Sequence, residues 1–84
     1  MAHNVRLEKR AEKELKKIPN RDRLRISIIL LRLKDNHYKG KKLRGEYKDS
    51  YSLRVWSYRI IYKIYKNLLL VVVIHIGHRQ GIYK

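Results

Sequence analysis

From His3 to Glu8, apolar Val5 and Leu7 alternate with Asn4 and Arg6, a period of two that predicts a short first strand. From about Glu8 the period changes. Leu7, Ala11, Leu15 and Ile18 recur at i, i+4, i+8 and i+11, which is one face of a helix. Lys9, Arg10, Lys13, Lys16 and Lys17 lie mostly off that face, mixed with Glu8, Glu12 and Glu14. Pro19 ends this helix, because proline disfavours helical geometry at the residue before it. Asn20 then reads as the N-cap of a second helix, with Asp22 in the first turn where the helix dipole favours an acid. Its predicted span is Arg21 to about Lys34. Leu24, Ile28 and Leu31 share a face there, joined by Ile29 and Leu30. Asp35, Asn36 and Gly40 release the chain into a basic loop that ends at Gly45.

After Gly45 the period becomes two. In Tyr51 to Trp56, Tyr51, Leu53 and Val55 share one face, and Ser52, Arg54 and Trp56 the other. In Tyr58 to Tyr65, Tyr58, Ile60, Tyr62 and Ile64 alternate with Arg59, Ile61, Lys63 and Tyr65. Ser57 and its neighbours must turn between these strands. Lys66-Asn67 fits a two-residue hairpin into the next, since Asn tolerates positive φ. Leu68 to Ile76 is apolar on both faces and predicts a central strand. Gly77 and Gly81 break the tail. The order β-α-α-β-β-β predicts an α+β fold, with two N-terminal helices packed on one face of a small, mainly antiparallel four-stranded sheet. The other face, carrying Arg54, Arg59 and Lys63, is expected to be open and cationic.

The chain has 84 residues, which makes one domain over residues 1–84 with one small core. It contains no cysteine, so neither disulfides nor thiolate metal sites support the fold. Met1-Ala2-His3-Asn4 lacks the apolar core of a signal peptide, and the longest apolar run, Leu68 to Ile74, is far short of the roughly 20 residues that span a bilayer. The expectation is a soluble, cytoplasmic protein with no membrane partner. Charge is the strongest compositional signal: 22 Lys and Arg against seven Asp and Glu give +15. Self-repulsion on that scale opposes folding, so a polyanionic partner is expected to have selected it. Nucleic acid comes first, an acidic protein second and a membrane surface third. From Ser50 onward there is no Asp or Glu, while Arg54, Arg59, Lys63, Lys66, Arg79 and Lys84 punctuate the strand-like runs. That half is poorly suited to two-metal or paired-carboxylate chemistry and well suited to holding a polyanion.

Such a cationic face has a plausible chemistry on RNA. Cleavage beside a 2′-hydroxyl needs that oxygen to attack the neighbouring phosphorus. A base takes its proton, cations stabilise the phosphoryl oxygens, and an acid protonates the leaving 5′-oxygen. Fixed cations supply much of such an effect, about 3–4 kcal/mol for one well-placed group. Arg suits phosphate because its planar fork binds two oxygens. Arg54 and Arg59, on successive strands joined by a tight turn, can be cross-sheet neighbours. Arg79 follows the last strand and can reach the same end, and Tyr83 offers a phenol four residues later. Each also has an ordinary reading: an outward Arg on a strand is usually a solvated face, and a terminal Tyr usually packs.

Leu43-Arg44-Gly45, Tyr51-Ser52-Leu53-Arg54-Val55, Tyr58-Arg59-Ile60-Ile61-Tyr62 and Ile76-Gly77-His78-Arg79-Gln80-Gly81-Ile82-Tyr83 together resemble the RelE/ParE superfamily of bacterial and archaeal toxins, over nearly the whole chain. The resemblance implies a compact toxin neutralised by an antitoxin. For RelE-type members it implies cleavage of mRNA in the ribosomal A site without metal or other cofactor. Carried onto this sequence, Arg59 matches the arginine that contacts the scissile phosphate. Arg79 matches the charge stabiliser or acid, and Tyr83 the tyrosine that stacks on or activates the substrate. Arg54 stands where such enzymes carry a basic strand residue, often Lys. A second lysine found two residues earlier in some members is Ser52 here. An arginine at 54 is always protonated, so base catalysis would fall to Tyr83, His78 or electrostatic activation of the hydroxyl.

The remaining candidates are RNA-binding. Lys41, Lys42 and Arg44 read as backbone clamps, with an ordinary solvated loop as the alternative. Trp56 shares the Arg54 face and could stack a base, or equally cover the strand end. His78 reads as a binding or packing residue or a proton shuttle, and Lys84 adds a cation at the terminus. His75 reads as structural. His75-x-x-His78 lacks a third ligand and a nearby carboxylate, so no metal site is expected. Expected partners are mRNA, the ribosome and an acidic antitoxin lying across the helical pair and the basic sheet. Two other functions remain open: a ParE-like poison of DNA gyrase that cuts nothing, and a non-catalytic RNA-binding module.

Overall fold

The computed structural model describes residues 3–35, 40–43 and 49–78. Strand β1 (Asn4–Leu7) leads into helix α1 (Lys9–Lys16) and helix α2 (Asn20–Arg32). Strands β2 (Lys41–Lys42), β3 (Ser50–Val55), β4 (Tyr58–Tyr65) and β5 (Leu70–His78) follow, with a 3-10 turn (Lys66–Leu68) between the last two. They form one sheet in the order β1-β5-β4-β3-β2. Only β1 runs parallel to its neighbour, β5; the other described pairs are antiparallel. The sheet therefore has five strands where the sequence pattern predicts four. The extra one is a two-residue edge strand inside the segment read as a basic loop. It pairs Lys41 with Ser52 and Lys42 with Tyr51, and the Leu43 N–H donates to the Ser50 carbonyl at 2.8 Å.

The core lies between the helices and the face of β3, β4 and β5 that carries Val55, Tyr58, Ile60, Tyr62, Val71, Val73 and Ile76. Ala11, Ile18, Ile26 and Leu30 fill it from the helices, with Leu33 just beyond α2. The α1 face read from the sequence is thus the inward one. For α2 the expectation holds in part: Leu30, read as joining the apolar face, points inward with Ile26 and Leu33, and Ile29 packs beside them, whereas Leu24, Ile28 and Leu31 point to solvent. Pro19, not Asn20, occupies the N-cap position, and its carbonyl accepts the Arg23 N–H at 2.9 Å. The Asn20 side chain instead accepts a hydrogen bond from the Arg23 guanidinium.

Two further expectations shift by a residue or two. The β3–β4 turn is Trp56-Ser57, with Val55 paired to Tyr58 and Trp56 at φ 57°. The left-handed residue before β5 is Leu69 (φ 49°), not Asn67. A bulge leaves Ile74 unpaired between the Ile61–His75 and Tyr62–Val73 pairs.

Beyond Val73, no described strand pairs with the edge of β5 that faces β1. Helix α1 closes it. The Glu8 N–H donates to the Val73 carbonyl at 3.0 Å, and two turns later Glu14 Oε1 accepts the Ile76 N–H at 3.0 Å. Glu14 Oε2 lies 2.6 Å from Nδ1 of buried His75, whose Nε2 lies 3.2 Å from Arg10 Nη2. An Nε2 that accepts from Arg10 leaves the ring proton on Nδ1, where Glu14 accepts it. His75 is structural, as its place in the strand pattern suggested.

Tyr62 is fully buried, and its hydroxyl accepts the Gly40 N–H at 2.9 Å, tying β2 to β4. A Cβ at position 40 would lie 2.6 Å from that hydroxyl and 2.9 Å from the Ser52 carbonyl oxygen. Gly40→Ala is therefore expected to destabilise the protein by about 1–3 kcal/mol, the usual range for overpacking, with a lower urea midpoint at unchanged m-value. Burial pushes the Tyr62 phenol above its ordinary pKa, against the lowering by the Gly40 N–H. Burial also raises Tyr58, helped by the Asp22 carboxylate that its hydroxyl donates to at 3.3 Å. Both groups bind their proton more tightly folded than unfolded. Stability should hold up to the ordinary value of 10.0 and fall above it. The slope is up to about 1.4 kcal/mol per pH unit for each group, and alkaline urea titrations of Tyr62→Phe and the wild type would show the difference.

Candidate nucleic-acid interface

Side chains alternate across a strand, so the face of β3 and β4 turned away from the core carries Ser50, Ser52 and Arg54 opposite Lys63, Ile61 and Arg59. Arg54 and Arg59 are direct cross-strand partners, one residue pair from the turn. Like charges placed directly opposite each other destabilise a sheet. On the far side of β4, Arg59 is paired with Gly77, so no β5 side chain flanks it there. On the near side of β3, Lys41 is paired with Ser52 and joins the same face. These residues line a groove of about 290 Å³ formed by Lys41, Leu43, Ser52, Leu53, Arg54 and Arg59. Arg54 is exposed and Arg59 half-buried.

This face is less open than its charges suggested. Ile61 is fully buried yet stands outside the helix-packed cluster, and Ser50, Ser52 and His75 on the same face are buried too. The solvent-accessible cations are concentrated at the end bearing Arg54, Arg59 and Lys41, with Lys63 farther along.

The structure separates three other candidates, Lys42, Trp56 and His78, from this groove. Lys42 is exposed but one register position over, opposite Tyr51. Trp56 does not share the Arg54 face, because it is a turn residue and not a strand residue. The Arg25 guanidinium of α2 sits 4.0 Å from its ring centroid, a cation–π contact on the helical side. His78 also faces the other way. It pairs with Tyr58 and its ring stacks on that tyrosine at 4.8 Å, beside a cavity of about 340 Å³ lined in part by Glu14, Lys17 and Tyr58. Arg44, Arg79, Tyr83 and Lys84 lie outside the described residues.

Among the described residues no carboxylate lines the groove. Glu14 is engaged with Ile76 and His75, and Asp22 with Tyr58 and, at 3.9 Å, with Arg25. Among the described residues no group of three or more His, Asp or Glu could hold a metal ion. No described helix is long and apolar enough to cross a membrane. The arrangement can grip a phosphodiester and stabilise charge on it. Its two arginines cannot act as a general base, since guanidinium groups stay protonated. Two features escape the sequence pattern: the gap left by Gly77 beside Arg59, which needs the β4–β5 register, and the Arg25–Trp56 stack, which needs the turn position.

A two-helix platform on a five-stranded sheet with a cationic outer groove has counterparts among known proteins. A family model described as the ParE toxin of type II toxin–antitoxin systems, parDE, matches residues 5–83. Toxin RelG from Mycobacterium tuberculosis is 30% identical over 88 residues, covering 100% of this chain and 99% of the relative. Among solved structures, the RelBE2 toxin–antitoxin complex from Mycobacterium tuberculosis matches with a TM-score of 0.88 at 28% identity, covering 94% of this chain and 93% of that one. A mutant E. coli RelE toxin in the free state matches with a TM-score of 0.80 at 27% identity, covering 96% and 87%. The chain belongs to the ParE toxin family within the RelE/ParE superfamily, and is a toxin of the type II toxin–antitoxin class.

Removing Arg54 should relieve the repulsion across the hairpin while weakening the groove. Arg54→Ala is expected to leave stability unchanged or raise it by up to about 1 kcal/mol. In the same variant, affinity for a short single-stranded RNA should fall, and the slope of log K against log salt should shrink by roughly 0.7. Fluorescence anisotropy at several salt concentrations, beside urea unfolding, checks both. An unchanged RNA affinity would remove Arg54 from the site.

Proposed function

We propose that this toxin acts as an endoribonuclease that cuts messenger RNA in the ribosomal A site and so arrests translation in the cytoplasm. The reading rests above all on one observation: Arg54 and Arg59 stand in direct register on the sheet face away from the core, beside Lys41 and the gap at Gly77. Two guanidinium groups held side by side suit the two non-bridging oxygens of one phosphodiester.

In this reaction the substrate 2′-oxygen forms a bond to phosphorus as its proton leaves to a base. The bond from phosphorus to the 5′-oxygen breaks, and that oxygen takes up a proton. The products are a 2′,3′-cyclic phosphate and a 5′-hydroxyl. Arg59 holds the scissile phosphate, and Arg54 supports it from the neighbouring strand. Lys41, with Lys42 and Arg44, steers the backbone. Arg79 stabilises the developing charge or serves as acid, and Tyr83 stacks on or activates the substrate, with Lys84 adding a terminal cation. His78 and Trp56 have no part at the scissile bond in this scheme, because both stand away from the groove. The Mycobacterium tuberculosis relative was solved as a toxin–antitoxin complex, and by extension this chain is bound by an acidic antitoxin encoded beside it. With +15 to neutralise, that association should weaken as salt rises.

A second reading, poisoning of DNA gyrase without RNA cleavage, is favoured by the ParE description of the matching family model. One experiment separates the two. In a cell-free translation system the wild type should produce sharp new mRNA 5′ ends inside codons. Arg59→Ala should lower the cleavage rate by about 10²–10³-fold, the usual loss for one charge-stabilising group. Intact messages with damaged DNA would instead establish the gyrase reading.

A further inference from the structure

Strand β5 carries a residue that suits a strand poorly. Val71, Val72, Val73, Ile74 and Ile76 are β-branched and fit a pleated sheet, whereas Gly77 adds no packing and loses more freedom on folding than any of them. Glycine inside a strand marks a bulge, a bend, or a place where another group comes close to the backbone. The bulge of this strand is at Ile74, and from His75 to His78 the pairing with β4 is regular. Close approach is the reading that remains.

Both chain neighbours of Gly77 are fastened. Ile76 is buried in the core, and its N–H donates to Glu14 Oε1 at 3.0 Å. The His78 ring stacks on Tyr58 with centroids 4.8 Å apart, and the Tyr58 hydroxyl donates to Asp22 of α2 at 3.3 Å. These contacts hold β5 in register and keep it from closing on Arg59. A side chain at 77 would stand directly across from Arg59, with the two Cβ atoms about 4.5–5.5 Å apart. Glycine leaves that place to something else, and Gly77 is itself half-exposed.

The gripped group says what comes there. A phosphodiester held by Arg54 and Arg59 carries a sugar on each ester oxygen. Toward β3 the position beside Arg59 is taken by Arg54, and toward β5 the register puts Gly77, which has no side chain. A sugar can lie against the strand backbone on that side while its phosphate reaches both guanidinium groups. The position offers neither an aromatic ring nor a side-chain hydrogen-bonding group, so it holds backbone and reads no base.

We propose that Gly77 is a specificity-determining residue of the groove. The place it leaves beside Arg59 seats the ribose joined to the gripped phosphate, and a side chain at 77 pushes that phosphate off Arg59. This deepens the phosphate-holding role given above to Arg54 and Arg59 and rests on it.

Gly77→Ala adds a methyl group at this place and Gly77→Val a branched side chain. Both are compared with wild type for three probes: a short single-stranded RNA, an abasic ribose–phosphate oligomer of the same length, and dimethyl phosphate, a diester without sugar. Fluorescence anisotropy reads the first two, and the arginine side-chain N–H resonances read the third. Affinity for both oligomers should fall about threefold in Gly77→Ala and about tenfold or more in Gly77→Val, the range expected when an added side chain overfills a contact. Dimethyl phosphate should shift the arginine resonances equally in all three proteins. The urea midpoint should be unchanged or raised, because each substitution favours a strand. Oligomer affinity unchanged in Gly77→Val overturns the proposal. So does a loss for RNA without a loss for the abasic oligomer, which would seat a base there. A parallel loss of dimethyl phosphate overturns it by showing that Arg59 itself was displaced, and a lowered midpoint in both variants by showing that the fold needs the glycine. If Gly77→Val alone is destabilised, the threefold loss in Gly77→Ala decides. Wild-type protein that binds neither oligomer nor dimethyl phosphate sinks the groove reading and the ribose seat together. Wild-type protein that binds all three but leaves messages uncut in the translation system removes the nuclease reading and leaves the seat standing.

Discussion

The register of β3 against β4 is the constraint on which the rest of the molecule depends. Side chains alternate, so a slip of one residue would carry Arg54 and Arg59 into the core and turn Val55, Ile60 and Tyr62 to solvent. Three features hold the pairing. The turn is two residues long. Tyr51 stacks on its partner Tyr62 with ring centroids 5.6 Å apart and planes 17° from parallel. Tyr62 is itself fixed from beyond the sheet by the Gly40 N–H. One buried phenol thus aligns the hairpin that presents the arginines and the edge strand that adds Lys41. The groove is assembled on rigid elements, which suits the proposed task of holding one phosphate between fixed charges.

The distribution of acids follows the same logic. There are seven in the whole chain, and none after Asp49. Glu14 closes the open edge of β5 and orients His75, and Asp22 receives the Tyr58 hydroxyl. Both carboxylates are held between the helices and the sheet, where they join elements. The outer face keeps its cations without carboxylates among the groove-lining residues to quench them. A protein of this size could reduce its self-repulsion with a few acids on that face, and their absence among the described groove residues suits the proposed binding of a polyanion.

The order of helices and long strands was legible because each has an unambiguous period, and the cationic face followed from strict alternation in Leu53 to Lys63. What was not legible has particular causes. The two rows of α2 have identical spacing, so periodicity could not tell Ile26, Leu30 and Leu33 from Leu24, Ile28 and Leu31. Only the packing of the helix against β3 decides. A two-residue strand has no period at all, and Lys41–Lys42 becomes one because Tyr62, twenty-two positions away, seats Gly40. Trp56 was placed on the Arg54 face because alternation was carried one residue too far, into the turn. His78 was grouped with the arginines by closeness in sequence to Arg79. The register pairs it with Tyr58, and Gly77 with Arg59.

Binding and proton transfer therefore belong to different parts of the chain. Guanidinium groups stay charged across the whole neutral range, so Arg54 and Arg59 can hold and stabilise a phosphate at any physiological pH but cannot move a proton. Ser52, the one hydroxyl among the described groove residues, is buried. In the proposed cleavage, proton transfer would then fall to side chains other than these arginines, to the RNA, or to the ribosome that presents it. A groove that binds but cannot complete the reaction alone gives a simple physical basis for dependence on a larger assembly. In the proposed scheme the rigid sheet supplies the grip, and a second surface would bring the 2′-hydroxyl into line.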